Sequence, residues 1–235
     1  MTYANYIADD IAPSAWEFNR GGGDAAERMC CMELVGTYVV LEELGPQHGE
    51  GLVRAASENR DTFNWAPVPR TMADVAPLLA SRAALRVAGS WISFAICRVV
   101  DRQVIGSTSF LNIERWDWPN KGEHPDSAEI GATWLAPSAQ RTAANTEAKL
   151  LMLTHAFEVW GVQRLQIKTD ARNQRSRDAI AGLGASFEGI LRNYQAGQGD
   201  LGMGTVRSTA MFSILPTEWP EVRDRLQTRL KKYGA

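Results

Sequence analysis

Residues 137–149 read P-S-A-Q-R-T-A-A-N-T-E-A-K, and L-L-M-L-T-H-A-F-E-V-W follows without a break to residue 160. Between Gln140 and Thr146 the side chains are small or polar, with a single cation at Arg141. Leu150, Leu153, Phe157 and Trp160 then recur at i, i+3, i+7 and i+10, which predicts one buried stripe of a helix over about 141–160. A polar turn is therefore joined directly to a helix start. The first N–H groups of a helix have no acceptor inside it, and the helix dipole favours negative charge at that end. An ordinary N-terminal cap uses the same residue types, so the stretch reads as a cap, an anion site, or both.

Working outward, Ala128–Leu135 precedes the turn as a strand, and Gly161 ends the helix. Leu165–Thr169 reads as a strand and Asn173–Gly182 as a short helix. Strands near 185–195 and 206–215 follow, joined by the Gly-rich 197–204, and an amphipathic helix at 217–232 closes the chain. Upstream, Leu34–Leu41 reads as one strand, 46–58 as a short helix, and Thr71 caps a helix running to Val87. Trp91–Cys97 and Val104–Phe110 form a hairpin around Asp101-Arg102, and 114–126 is a long irregular loop. An antiparallel meander thus flows into a strand–helix–strand unit, and the class is mixed α/β. Residues 1–32, with Gly21-Gly22-Gly23 and no sustained period, read as an N-terminal extension that Trp16 and Phe18 could pin to the body. Residues 33–235 read as one domain.

The chain has 235 residues, 45% of them hydrophobic, with a formal net charge of -2. That supports a sizeable core and gives no basic surplus for nucleic acid. No apolar run is long enough for a membrane helix, and Asp9 and Asp10 do not suit a signal peptide. The expectation is a cytoplasmic protein. Cys30, Cys31 and Cys97 form no disulfide framework. His48 and His124 have no carboxylate or cysteine partner at ligand spacing, so no metal is expected. His155, mid-helix beside Phe157, reads as a packing residue. Glu147 reads as support for its own helix's dipole and cap.

The segments E-I-G-A-T-W-L-A-P-S-A-Q-R-T-A-A-N-T-E-A-K-L-L-M-L-T-H-A-F-E and R-L-Q-I-K-T-D-A-R-N-Q-R-S-R-D-A-I-A-G-L-G-A-S-F-E-G-I-L-R, in this order and spacing, resemble the GCN5-related N-acetyltransferase (GNAT) superfamily. Within it they are most similar to the branch of the ribosomal-protein N-terminal acetyltransferases (RimJ and RimL type). The resemblance covers roughly residues 33–215. It implies a mostly antiparallel central sheet with one splayed parallel pair, at 128–135 and 164–170, and helices on both faces. It also implies acetyl-CoA as co-substrate. The family's Gln/Arg-x-x-Gly-x-Gly/Ala loop aligns with Gln140, Arg141, Thr142, Ala143, Ala144 and Asn145, with Thr146 following. Ala143 and Asn145 depart from that pattern. Alanine costs little where the backbone is already right-handed helical, so the loop is expected to enter the helix directly, its free amides on the diphosphate.

The resemblance further implies that the pantetheine arm lies between the splayed strands like an added strand. The acetyl carbonyl then falls near the amide of about Leu135, with Asn173 on the cofactor arm and Ser176 by the thiol. The implied reaction is direct attack of an amine on the thioester. An α-amine, with a pKa near 7.7–8.0, costs only about 1 kcal/mol to deprotonate at pH 7; a lysine costs roughly 4 to 5 kcal/mol. Glu129 is the candidate base, against a strand-pairing or surface glutamate. Ser176 is the candidate acid, against a helix-first-turn serine, and Tyr194 is a second acid candidate. Trp65, Trp116 and Trp118 could wall the acceptor groove, with acidic neighbours attracting a cationic amine; alternatively they pack on the body or on a second subunit. The expected acceptor is a protein N-terminus or a small amine, and a homodimer is expected. The rivals are a detoxifying acetyltransferase on an antibiotic or metabolite amine and a non-catalytic acyl-CoA-binding module.

Overall fold

A computed structural model of the chain describes residues 32–119 and 124–234. The expectations for Trp16, Phe18, the Gly21–Gly23 run, Cys30 and Cys31 lie outside the described residues. Strands β1 (Glu33–Val35), β2 (Val39–Glu43), β3 (Ile92–Arg98), β4 (Val104–Glu114), β5 (Ser127–Leu135), β6 (Arg164–Asp170), β7 (Ser186–Ala196) and β8 (Val206–Ile214) form one sheet. Its order is β1-β2-β3-β4-β5-β6-β8-β7. Every neighbouring pair is antiparallel except β5 with β6. Helices α1 (Gly49–Ser57), α2 (Met72–Val87), α3 (Ala143–Thr154), α4 (Gln174–Leu183) and α5 (Trp219–Lys231) cover it. Among the described residues no helix is long and apolar enough to cross a membrane.

Strand alternation sorts the side chains onto two faces. Phe94, Ile96, Ile130, Leu165, Ile167, Phe212 and Ile214 point into the main core, where they meet Met152 and Leu153 of α3, Ile180 of α4 and Leu226 of α5. Ala95, Cys97 and Val104 point the other way and pack on Leu52 of α1. Phe63, Val68 and Ala56 form a third cluster with Trp134.

Three elements differ from the sequence reading. Residues 34–41 do not make one strand but two, turned about Gly36–Tyr38. The cause is Glu147: its carboxylate accepts from the amides of Thr37, Tyr38 and Val39 at 2.8, 2.6 and 2.7 Å. It thus caps a distant turn rather than its own helix. A side chain at Gly36 would collide with it, since a Cβ there would lie 2.5 Å from the carboxylate. The long helix starts at Ala143, and a π-helical turn over His155–Trp160 follows it. The wider turn leaves the expected stripe on one core: Leu153 is buried there, and Leu150, Phe157 and Trp160 pack against the same cluster. Ala144, Ala148 and Met152 join it, and Phe157 reaches it by stacking on Trp219 and Trp160 by tilting onto Phe110. His155 packs between Phe110 and Trp160, and burial pushes its imidazole down to about 4.

Candidate functional site

The parallel pair is short. β5 and β6 are in register at Ser127↔Arg164, Ala128↔Leu165 and Glu129↔Gln166, and nowhere further on. From Ile130 onward β5 leaves β6, although both strands continue, to Leu135 and Asp170. The departure follows a bulge: Ser107 and Ser109 of β4 face Trp134 and Gly131 of β5, and Ala132 takes a positive φ of 48°. An extra residue on one strand bends and twists it. The result is a wedge whose two inner edges lack a ladder partner in each other, open at the carboxyl ends of both strands.

The turn 137–142 and the start of α3 lie at the mouth of this wedge. Arg141 adopts a left-handed φ of 61°, and Thr142 then serves as an extended N-cap. Its hydroxyl donates to the Ala139 carbonyl at 2.7 Å and accepts from the Ala144 amide at 3.2 Å. Ala143 is the first helical residue and sits in right-handed geometry, so a methyl group replaces glycine there without backbone strain. Of the leading amides, Ala144's is used by the cap; those at Ala143 and Asn145 have no acceptor within the helix. Ala143, Ala144 and Thr146 are buried, Asn145 is half-buried, and Arg141 and Thr142 are exposed. Gln140 acts as a strut: its Nε2 donates to the Leu135 carbonyl at 2.8 Å and its Oε1 accepts from Arg175 at 2.6 Å. It therefore ties the end of β5 to α4 across the opening. Ser138 is held by both oxygens of Glu58.

On the β6 side, Asn173 caps α4, accepting from the Ser176 amide at 3.1 Å. Ser176 is half-buried in the first turn of that helix. Glu129 stands at the apex of the wedge, 2% exposed. Its Oε2 meets Lys168 Nζ at 2.8 Å and accepts from Asn112 Nδ2 at 2.7 Å. The Tyr194 ring lies 5.3 Å from the same ammonium. Trp65 stacks beneath the Arg172 guanidinium at 4.7 Å, and Arg172 pairs with Asp170 at 2.8 Å. That pair holds the Asp170 carboxyl below the usual carboxylate range. The 197–204 loop crosses to this region: Leu201 donates to the Asn64 carbonyl at 3.0 Å, and Arg70 meets Asp200 at 2.6 Å. Gly199, at φ 69°, presses so close that a Cβ would lie 2.5 Å from the Asn64 carbonyl. The Gly-rich join of β7 and β8 is thus docked on the connection between α1 and α2.

The structure thus brings Glu129, Leu135, the 140–146 turn, Asn173 and Ser176 around one opening, with Trp65 and Tyr194 on its flank. Trp116 and Trp118 are elsewhere. They pack on each other with ring centroids 6.0 Å apart, and both donate to Asp126, before the start of β5 and so at the opposite end of that strand from the opening.

Two features escaped the sequence. Lys149 of α3 is 5% exposed, and among the described residues its ammonium hydrogen-bonds only hydroxyls, Thr133 Oγ1 at 2.7 Å and Thr108 Oγ1 at 3.5 Å. Burial pushes it down to about 7. An interior lysine in a helix start carries no sequence signal, since the same spacing suits a solvent-facing one. His48, expected without ligand-type partners, has two: Glu42 and Cys97 bring their ligand atoms and its own within 4.8 Å of one another. They come from β2 and β3, so sequence spacing could not reveal them. The Gly45 amide donates to His48 Nδ1 at 3.0 Å, which puts the neutral ring's proton on Nε2, facing Glu42 at 3.1 Å. That tautomer makes a hydrogen-bonded pair and offers no lone pair to an ion. Burial, reinforced by Glu42, pushes the Cys97 thiol up to about 12.

Comparison with known proteins places this geometry. Residues 39–186 match the family model described as Acetyltransferase (GNAT) domain. A GCN5-related N-acetyltransferase from Brucella melitensis is 31% identical, with 85% of each chain covered and a TM-score of 0.70. RimJ of Mycobacterium smegmatis, in complex with CoA-disulfide, shares the fold at 20% identity, with 85% of this chain and 93% of that chain covered and a TM-score of 0.66. The ribosomal-protein-S5-alanine acetyltransferase of Vibrio fischeri shares it at 16% identity, with 80% and 98% covered and a TM-score of 0.61. No curated protein gave a significant match.

Proposed function

The chain belongs to the GNAT acetyltransferase family, and on that premise we propose that it moves the acetyl group of acetyl-CoA to a primary amine, with both substrates bound together. The observation that carries this reading is the parting of β5 from β6 past Glu129, directly before a helix start whose Ala143 and Asn145 amides have no acceptor within the helix. An extended pantetheine chain can hydrogen-bond along an open strand edge. The diphosphate suits the turn from Arg141 to Thr146, where the Ala143 and Asn145 amides have no acceptor within the helix and the helix dipole adds to their attraction. The buried methyl groups of Ala143 and Ala144 leave room for close approach, and the exposed Arg141 supplies a cation beside it. The complex of the M. smegmatis protein with CoA-disulfide supports a ligand of the CoA type.

In this reading the nitrogen–carbon bond of the new amide forms as the thioester bond breaks, and the thiol takes up one proton while the amine gives one up. Glu129, paired with Lys168, receives the amine's proton through water. Ser176, at the β6 lip, donates a hydrogen bond to the departing sulfur. Asn173 orders the first turn of α4 and, with Leu135 at the end of β5, borders the thioester. Trp65 flanks the acceptor. The acceptor we favour is a protein N-terminal amine, as in the RimJ and RimL branch. Such an amine ionises near pH 8 and needs only a weak base.

The test is a panel of amines offered with acetyl-CoA and read by thiol release, alongside calorimetry of coenzyme binding. Glu129→Gln and Ser176→Ala should lower kcat by about 10²-fold or more while leaving coenzyme affinity unchanged. Folded protein that gives no binding heat with CoA or acetyl-CoA would refute the assignment.

A further inference from the structure

Five charges line the sheet face beside the wedge: Glu129, Lys168, Asp170, Arg172 and Arg207. Two pairs close among them, Glu129 with Lys168 at 2.8 Å and Asp170 with Arg172 at 2.8 Å. Arg207 of β8 is left over. It is only 7% exposed, and among the described residues its side chain makes one hydrogen bond, from Nε to Thr209 Oγ1 at 3.0 Å. No carboxylate of the described residues comes within ion-pair distance of it. The strand register explains why. β6 and β8 pair Asp170 with Thr209, so Arg207 lies across from position 172, just past the end of β6. Asp170's carboxylate is turned to Arg172 instead, which binds it through both Nε and a terminal nitrogen. Asp170, Glu129 and Tyr194 still lie near enough to act on the Arg207 charge, and Arg172 opposes it. The guanidinium therefore sits among the groups that flank the opening, and its terminal nitrogens are not among the atoms sealed from solvent without a partner.

A nearly buried cation without a counter-charge is disfavoured unless something supplies that charge. Arginine's planar fork matches a carboxylate in two parallel hydrogen bonds. We propose that Arg207 receives a carboxylate carried by the acceptor, so that the substrate is an amine that also bears an acid group. This inference rests on the acetyl-transfer reading and names the substrate class of that same site. The count of charges favours a carboxylate, because one surplus positive charge is matched by one negative. β8 is the strand next to β6, roughly 5 Å away. The acid group therefore lies a few bonds from the reacting nitrogen rather than at a remote end. Two sources meet that chemistry: the α-carboxylate of a free amino acid or dipeptide, and an acidic side chain at the first or second position of a protein.

The experiment compares kcat/KM for matched acceptors with acetyl-CoA. One arm pairs amino acids and dipeptides with their amides. The other pairs C-terminally amidated decapeptides carrying Asp or Glu at position 2 with those carrying Asn or Gln. The wild type should prefer the acid member of at least one arm by tenfold or more, and that arm identifies the source. Arg207→Met should reduce the preference to within about twofold. As a measurement independent of any variant's folding, an N-blocked form of the preferred acceptor should inhibit the wild type competitively against the amine and not against acetyl-CoA, and its amide should not. Turnover with equal rates on acid and amide members would overturn the carboxylate assignment while leaving acetyl transfer standing. Absence of both turnover and coenzyme binding would remove both readings together.

Discussion

Lys149→Met should stabilise the protein at neutral pH, and the gain should fade as the solution becomes alkaline. Lys149 sits in the core face of α3 with two threonine hydroxyls and no carboxylate, and burial lowers it from 10.5 to about 7. At 1.36 kcal/mol per tenfold change in acidity, the charged form is penalised by roughly 5 kcal/mol. The sign follows from proton counts. Between pH 7 and 10.5 the unfolded chain holds a proton on this amine that the folded chain has released, so wild-type stability rises with pH across that window. Below pH 7 both states are protonated and the full penalty applies. Methionine has nearly the same length and no charge, and Thr108 and Thr133 already bond each other at 2.8 Å, so no hydroxyl is stranded. The variant should exceed the wild type by up to about 5 kcal/mol at pH 6 and by about 2 kcal/mol at pH 9. Urea unfolding at several pH values between 6 and 9.5 measures the difference, and contributions common to both chains, such as the Cys97 thiol, cancel. A difference that stays flat across this range, or a variant less stable at pH 6, would show that the amine is not held neutral by burial.

Other consequences are equally direct. Glu147→Ala removes the acceptor for three amides of the Gly36–Val39 turn, at a cost of about 3 kcal/mol or more; the melting temperature should fall by roughly 6–12 °C, with faster amide exchange at Thr37, Tyr38 and Val39. Gly106→Ala would place a Cβ 2.2 Å from the Trp134 carbonyl and force β4 from β5. It should cost about 3 kcal/mol and also raise the KM for acetyl-CoA, because the end of β5 borders the opening. Gly182→Ala is the control: its Cβ would meet only Arg229 atoms at 3.7 Å, at the next-to-last residue of α4. It should raise stability by at most about 0.5 kcal/mol, measured by the same denaturation.

What could be read from the chain in advance was whatever lies close in sequence. Strand alternation, the glycine stops and the 137–149 turn are local, and each has the expected element at the expected place. The exact path of the chain around Gly36 was not local: a run of β-branched residues suggests one strand, and only Glu147, more than a hundred residues away, turns it into two. The stripe on the long helix is local, and Leu150, Leu153, Phe157 and Trp160 all meet the main core. What a period of 3.6 does not show is the wider backbone turn at His155–Trp160, through which Phe157 meets Trp219 and Trp160 meets Phe110.

The charges around the wedge were hidden for the same physical reason that makes them informative. Glu129 was singled out in the sequence, but Lys168, Asp170 and Arg207 each alone read as the solvent-facing half of a pleat. Only the register of β5, β6 and β8 brings them onto one face, and only the short parallel ladder leaves space beside them. If that face were solvent-exposed, long side chains would pair loosely and screening would make their arrangement matter little. Here Glu129, Asp170 and Arg207 are each more than nine-tenths buried, so every unmatched charge must be compensated by something. Two carboxylates have found their cations. In the proposed reading, the parting of β5 from β6 leaves one substrate room along β5, and the surplus guanidinium on β8 receives the other from the opposite side. On that proposal the same strand geometry gives a half that binds through backbone amides and a half that selects by charge, and the acid-against-amide comparison tests the second half on its own.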